Sequence, residues 1–322
     1  MPPFDLPRCV MPAINFKGGT GKTTVAIAIA EGLCHTHGKR VLLIDCDFQC
    51  SASIALLGRN ALNNLIEVGA TLDCQLQRQM FCEDGSPLID AVVEARYCVK
   101  EASKLLFVLP GNPDMPRRER EILSSFWTET DIHAAYQRAS THIAKLYRSL
   151  LDEFELVLID CPPGLTLFSE AAIRAADGLI VPTLPNEISF AAIDHLRREI
   201  ARTRPDRTLE DLLVGTVISK LSERPGGAHH RYQARSIEKL LDRVAPGFRV
   251  LKPYLPYCKE LEATTWREED ARRASFARRY GQSSAMIEEL ARALVDRCGT
   301  VMAASSGKAK ATQASNAKCL TL

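Results

Sequence analysis

The sequence has no apolar run approaching the roughly 18 residues that a membrane-crossing helix needs. Its start, Met1-Pro-Pro-Phe-Asp5, carries neither the basic nor the apolar region of a secretory signal. Eleven cysteines include no Cys-x-x-Cys pair, and the tightest spacing is Cys46/Cys50. That argues against a zinc or iron–sulfur site and for reduced, mostly buried thiols in a cytoplasmic protein. Charge of one sign is also lacking: 41 Lys+Arg face 39 Asp+Glu, a formal net charge of +2 over 322 residues. This excludes a chain coated in positive charge but leaves room for a local basic face. What is present, 46% apolar and 25% charged residues, is the composition of a folded globular protein.

Short apolar runs recur between turn residues: Cys9–Asn15, Val41–Asp45, Leu105–Leu109, Leu156–Asp160, Gly178–Pro182, Leu213–Ser219 and Phe248–Leu251. They are continuous rather than alternating, which is how strands buried on both faces read. Helical patterns separate them, at Thr23–His37, Phe168–Ala176, Ile188–Thr203 and Ser236–Val244. The alternation predicts an α/β fold, a mostly parallel twisted sheet with helices on both faces. Pro12 is awkward in a central strand, since it cannot donate to the ladder. Residues 57–152 fit the alternation poorly and read as a partly helical insertion packed on one sheet edge. Residues 299–322 are small and polar without periodicity, and read as a disordered tail.

One segment carries chemistry directly. Ile14-Asn-Phe-Lys17-Gly18-Gly19-Thr20-Gly21-Lys22-Thr23-Thr24 follows an apolar strand and opens a helix. Glycines let backbone N–H groups wrap a phosphate, and the helix aims the positive end of its dipole at the same anion. Lys22 can reach the outer phosphates, and the Thr23 hydroxyl can ligate Mg²⁺. The usual G-x-x-x-x-G-K-[ST] pattern fails at Phe16, and an extra lysine, Lys17, precedes the glycine pair.

This K-G-G-x-G-K-T-T form resembles the deviant Walker A motif of the ParA/MinD class of P-loop NTPases, closest to ParA (Soj-like) partition ATPases. Asp45-Cys-Asp47-Phe-Gln49 is similar to that family's D-x-D-x-Q segment, and Asp160-Cys-Pro162-Pro163-Gly164 to its Walker B motif. The resemblance assigns residues 8–298 to one ParA-like ATPase domain. It implies ATP and Mg²⁺ as cofactors. The nucleotide would be bound by Lys17, Gly18, Gly19, Thr20, Gly21, Lys22, Thr23, Thr24 and Pro256. Lys17, Lys22 and Asp47 would be catalytic, with Asp47 positioning the attacking water and Asp45 supporting it. Thr23, Asp47 and Asp160 would serve the metal. Lys17 is either a solvated loop lysine or, by the resemblance, the group that reaches the nucleotide of a second subunit in an ATP-dependent homodimer.

Between Arg224 and Arg279 stand 13 Lys/Arg against 7 Asp/Glu, a local excess of six. Arg231 and Arg235 share a helical face, and Arg272, Arg273, Arg278 and Arg279 form a second cluster. Such residues suit a solvated surface or sequence-independent contact with a nucleic-acid backbone. With the resemblance, the expectation is a switch ATPase that binds DNA non-specifically when ATP-bound and associates with the nucleoid. It would drive DNA partition or cargo positioning and be reset by a ParB-like stimulating partner. The alternatives are a MinD-like membrane-cycling ATPase and an amidotransferase-linked synthetase. The tail Ser305-Ser-Gly-Lys-Ala-Lys-Ala-Thr-Gln313 offers no apolar face to a bilayer, so no stable membrane association is expected.

Overall fold

The structure, a computed structural model, describes residues 7–82, 85–127, 131–220, 239, 249–256, 261 and 274–319. Eight strands form one sheet in the order β3-β4-β2-β5-β1-β6-β7-β8. In chain order they are β1 (Cys9–Ala13), β2 (Val41–Asp45), β3 (Val93–Glu94), β4 (Leu106–Leu109), β5 (Leu156–Asp160), β6 (Leu179–Thr183), β7 (Leu213–Ile218) and β8 (Val250–Leu251). All pairings are parallel except β3 with β4 at one edge.

Successive strand residues point to opposite faces, so one strand feeds two cores. Val10, Leu42, Ile44, Val157 and Ile159 enter the core beneath α4 (Leu72–Phe81), α5 (Met115–Ser125), α6 (Ile132–Ser149), α7 (Leu167–Ala175) and α8 (Glu187–Thr203). Met11, Ala13, Val41, Leu43, Leu156 and Leu158 enter the other, beneath α1 (Lys22–His37), α2 (Ser51–Leu57), α10 (Phe276–Tyr280) and α11 (Ser284–Cys319). Two short helices, α3 (Arg59–Glu67) and α9 (Leu209–Leu212), complete the α-helices of the described residues. Each buried aliphatic side chain stabilises by about 1.5–3 kcal/mol relative to exposure, which is why these runs carry no polar alternation.

Pro12 does sit in a central strand, paired in register with Ile159 of β5. The cost falls on the other side, where β1 and β6 share the single in-register pair Ala13 and Ile180. The neighbouring donor of Val10 is taken instead by a side chain, the Asp177 carboxylate at 3.0 Å.

Residues 57–152 are more regular than their sequence suggests. They supply α3 to α6 and extend the sheet by β4 and β3. Among the described residues Glu119 of α5 ties this segment to the start of α7. Its Oε1 accepts from the backbone N–H of Leu167, the first residue of α7, at 2.8 Å, and from the Tyr136 hydroxyl at 2.5 Å. At the other end, α11 runs through Cys319, so residues 299–319 are helical rather than an unstructured tail. Alanines at 303, 304, 309, 311, 314 and 317, with no proline after Ser284, favour helix where periodicity is absent. The predicted helix at Ser236–Val244 lies outside the described residues, apart from Lys239.

α1 is almost wholly buried and contains a buried acid, Glu31. That carboxylate accepts from Arg279 Nη1 and the Val99 N–H, both at 3.1 Å, and from the Tyr280 hydroxyl. A charge at 0% exposure is tolerable only with such a set of partners.

Candidate nucleotide site

The phosphate loop begins where β1 ends, and neighbouring strands pin it. Asn15 Nδ2 donates to the Pro182 carbonyl at 2.8 Å, and Asn15 Oδ1 accepts from the Lys17 N–H at 3.0 Å. Gly19 and Gly21 take φ of 73° and 80°, the left-handed region that a Cβ disfavours. Gly21 also lies against β7, whose following residue Ser219 donates its hydroxyl to the Thr20 carbonyl at 2.8 Å. A Cβ on Gly21 would meet Ser219 Oγ at 3.1 Å. α1 then starts at Lys22 with no acidic residue in its first turn, leaving its positive end uncompensated.

These constraints shape a cavity of 700 Å³ lined by Gly18 to Thr24. The segment after β2 completes it with Asp47, Gln49, Ser51, Ile54 and Arg59, together with Pro163 and Lys220. Lys22 is 7% exposed, and its ammonium donates to the Lys17 carbonyl at 3.1 Å. Burial lowers its pKa while Asp160 pulls in the opposite direction. A desolvated ammonium with one carbonyl partner at the mouth of a helix is poised for an anion.

The parallel register sets Asp45 directly beside Asp160, and their surroundings give them different tasks. Asp45 accepts from the Ser53 N–H at 2.8 Å, the Ser53 hydroxyl at 2.7 Å and the Asp47 N–H at 3.2 Å. It organises the turn into α2, and burial pushes its pKa up to about 6 despite those hydrogen bonds. Asp160 is 1% exposed, and neither of its carboxylate oxygens has a hydrogen-bond partner among the described residues. Burial raises its pKa well above the carboxylate range, the Asp45 charge adds to this, and the Thr23 hydroxyl and Lys22 oppose it. An orphaned carboxylate beside a threonine hydroxyl and a phosphate loop has the donor chemistry for a hydrated hard cation such as Mg²⁺. Asp47 leaves the strand, accepts from the Gln49 N–H at 3.0 Å and lines the cavity.

The predicted loop residues and Asp47 therefore meet at one cavity, with Asp160 buried behind them. Two predicted nucleotide residues stand apart. Lys17 does not line the cavity and folds back within its own chain, where its ammonium donates to Ser189 Oγ at 3.0 Å and Asn186 Oδ1 at 3.3 Å. Pro256 is buried and lies outside the described cavity lining. Of the predicted DNA contacts, Arg231, Arg235, Arg272 and Arg273 lie outside the described residues. Arg278 is exposed, whereas Arg279 is turned inward to Glu31 with a side chain 7% exposed, which leaves little of it for a phosphate. Ser51, Ile54, Arg59 and Lys220 are cavity residues that sequence reasoning missed. A local sign was present for Arg59: Gly58 before it takes φ 81° beneath the Tyr97 ring, fixing a tight turn.

A family model described as AAA domain matches residues 9–212, a span that takes in residues 57–152. Among curated relatives, an uncharacterised protein of Pseudomonas putida is 27% identical over 205 residues, covering 62% of this chain. The matched region spans 66% of that relative's own length. The chromosome partitioning protein ParA of Caulobacter vibrioides is 29% identical over 219 residues, covering 68% of this chain and 72% of its own. Among solved structures, apo McdA of Cyanothece superposes with a TM-score of 0.67 at 18% identity, over 89% of this chain and 99% of that one. Cobyrinic acid a,c-diamide synthase of Mycobacterium smegmatis, with an ATP analogue and magnesium, gives 0.64 at 21% identity over 89% and 94%. The pNOB8 ParA bound to non-specific DNA gives 0.63 at 21% identity over 91% and 99%. At these identities the structural likeness is one of fold.

Proposed function

This chain belongs to that AAA-domain family as a ParA-type P-loop ATPase, and we propose that it is an ATP-operated switch that binds DNA non-specifically and drives partition or cargo positioning. The observation that carries the nucleotide half is the partnerless, buried Asp160 carboxylate facing Lys22 and Thr23 at the phosphate loop. Backbone N–H groups of Gly18 to Thr24, the α1 dipole and Lys22 bind and orient the triphosphate. Thr23 and Asp160 would hold Mg²⁺. The ion, when bound, would supply charge neutralisation for the outer phosphates. Asp47, held by the Gln49 N–H, accepts a hydrogen bond from the attacking water and aligns it for in-line displacement. Little covalent work is required, since phosphoryl transfer depends mainly on placement and electrostatics.

Lys17 supports the assembly step. Inside a single chain its ammonium is spent on Asn186 and Ser189, and it does not line its own cavity. A lysine at this position that does not serve its own nucleotide suits a role at a second subunit's nucleotide. ATP then makes a homodimer, and hydrolysis, stimulated by a ParB-like partner, undoes it. The DNA half rests on the basic excess between Arg224 and Arg279 and on the likeness to a ParA structure with non-specific DNA.

Light scattering tests the switch. The chain with Mg²⁺ and ATP is expected at dimer mass, and with ADP or as Lys17→Ala at monomer mass. A monomer under every condition sinks the assembly step. The cobyrinic acid a,c-diamide synthase likeness favours a second reading, a synthetase in which turnover requires a carboxylic substrate. Steady turnover with ATP and water alone, accelerated by DNA or a partner, excludes it.

A further inference from the structure

Arg59 is the first residue of α3 and lines the same cavity as the phosphate loop. It is exposed, and no hydrogen bond or ion pair engages its guanidinium among the described residues. Among the described residues Arg118, Arg148, Arg174, Arg197, Arg202 and Arg204 each bridge to an acid. Arg59 instead offers an unengaged guanidinium to an anion-binding cavity, and it is the arginine within the described cavity lining. Its placement is also fixed. Gly58 takes φ 81°, and a Cβ there would meet Tyr97 Cε2 at 2.7 Å, so the turn that presents Arg59 is locked by a buried ring. Arg59 stands on the same chain segment as Asp47 and Gln49, which follow β2 and line the cavity. In the reading above that segment faces the terminal phosphate.

We infer that Arg59 is a nucleotide-contacting residue that recognises the terminal phosphate and so distinguishes a nucleoside triphosphate from a diphosphate. This rests on the nucleotide half of the proposed function and not on DNA binding. A planar guanidinium with five donors matches phosphate oxygens in a way an ammonium does not. It adds a second cation to Lys22 for the terminal phosphate. Within the described cavity lining the other cations are ammonium groups, Lys22 in the loop and Lys220 just past the end of β7, and neither offers a planar fork of donors.

The test is a comparison of ligands, not of rates alone. A non-hydrolysable ATP analogue and ADP, each with Mg²⁺, are titrated calorimetrically into the parent chain, Arg59→Ala and Arg59→Lys. Loss of one charge-assisted contact predicts about tenfold weaker binding of the analogue to Arg59→Ala, with ADP changed by less than about twofold. Arg59→Lys falls between, and the KM for ATP of Arg59→Ala rises in step with the weaker analogue binding. Arg96→Ala, an exposed arginine outside the cavity lining, leaves both affinities unchanged. Equal loss for both ligands, or none for either, overturns the assignment. A parent chain that binds neither ligand overturns it together with the nucleotide reading. A parent chain that discriminates through Arg59 but never binds DNA leaves it standing while the partition reading falls.

Discussion

Replacing Asp160 by asparagine should raise the stability of the nucleotide-free protein and abolish the function of the nucleotide-bound one. The two effects share one cause. Asp160 is buried beside Asp45, with no hydrogen-bond partner for either oxygen among the described residues. Ionising both acids at neutral pH is costly. For Asp45 the rise from 3.8 to about 6 corresponds to roughly 3 kcal/mol at about 1.4 kcal/mol per unit. Asp160, raised first by burial and then by Asp45, bears a penalty of the same kind. Asp160→Asn removes the acid that burial and its neighbour penalise while keeping its shape, and should raise Tm by several degrees. Thermal unfolding followed by circular dichroism in EDTA measures this directly. With Mg²⁺ and ATP the order inverts, because the parent gains stability by ligand linkage and the variant loses most of that gain. A variant that melts below the parent in EDTA, or that turns over ATP at the parental rate, refutes the reasoning.

Asp45→Asn carries a related pH signature. The parent group has a folded pKa above its unfolded value, so its contribution is fully present below about pH 3.8 and is lost as pH rises through about 6. The stability of the variant relative to the parent should therefore grow by up to about 3 kcal/mol between pH 4 and pH 7, read from urea midpoints in EDTA. A pH-independent difference contradicts the assignment. Glu31→Ala strips the partner from Arg279 and leaves the Val99 N–H and Tyr280 hydroxyl without their acceptor. It should destabilise by about 3–5 kcal/mol in the same assay, and a loss below 1 kcal/mol would contradict the described packing. Gly58→Ala meets both a positive φ and the Tyr97 ring, so a loss of about 1–3 kcal/mol is expected. Unchanged stability there would show that the turn presenting Arg59 is not locked.

Much of the fold is legible because both sheet faces are buried. The runs at Val41–Asp45 and Leu156–Asp160 are strands over those same residues, and the phosphate loop falls between strand and helix as its glycines require. What escapes depends on partners distant in sequence. The resemblance gives Asp47 the water and Asp45 a supporting part, but the means of that support, the Ser53 N–H and hydroxyl eight residues on, is not visible in the motif. Arg279 reads as one of a surface cluster, but it meets Glu31 across 248 positions of chain. Within residues 57–152, read as a partly helical insertion, the Leu105–Leu109 run is recognisable as β4, whereas β3 is only two residues long and leaves no pattern. Pro12 stays in the sheet because the side where it lacks a donor is the side where Asp177 already serves Val10 in place of β6.

The central claim is that ATP switches this chain between a free form and a DNA-bound form through Lys17. Retention on immobilised duplex of arbitrary sequence, measured with ATP, with ADP and for Lys17→Ala, tests it most directly. The account predicts retention with Mg²⁺ and ATP alone, lost with ADP, lost in Lys17→Ala and falling steeply as salt rises. Retention on liposomes but not on DNA, or DNA retention indifferent to nucleotide, would contradict it.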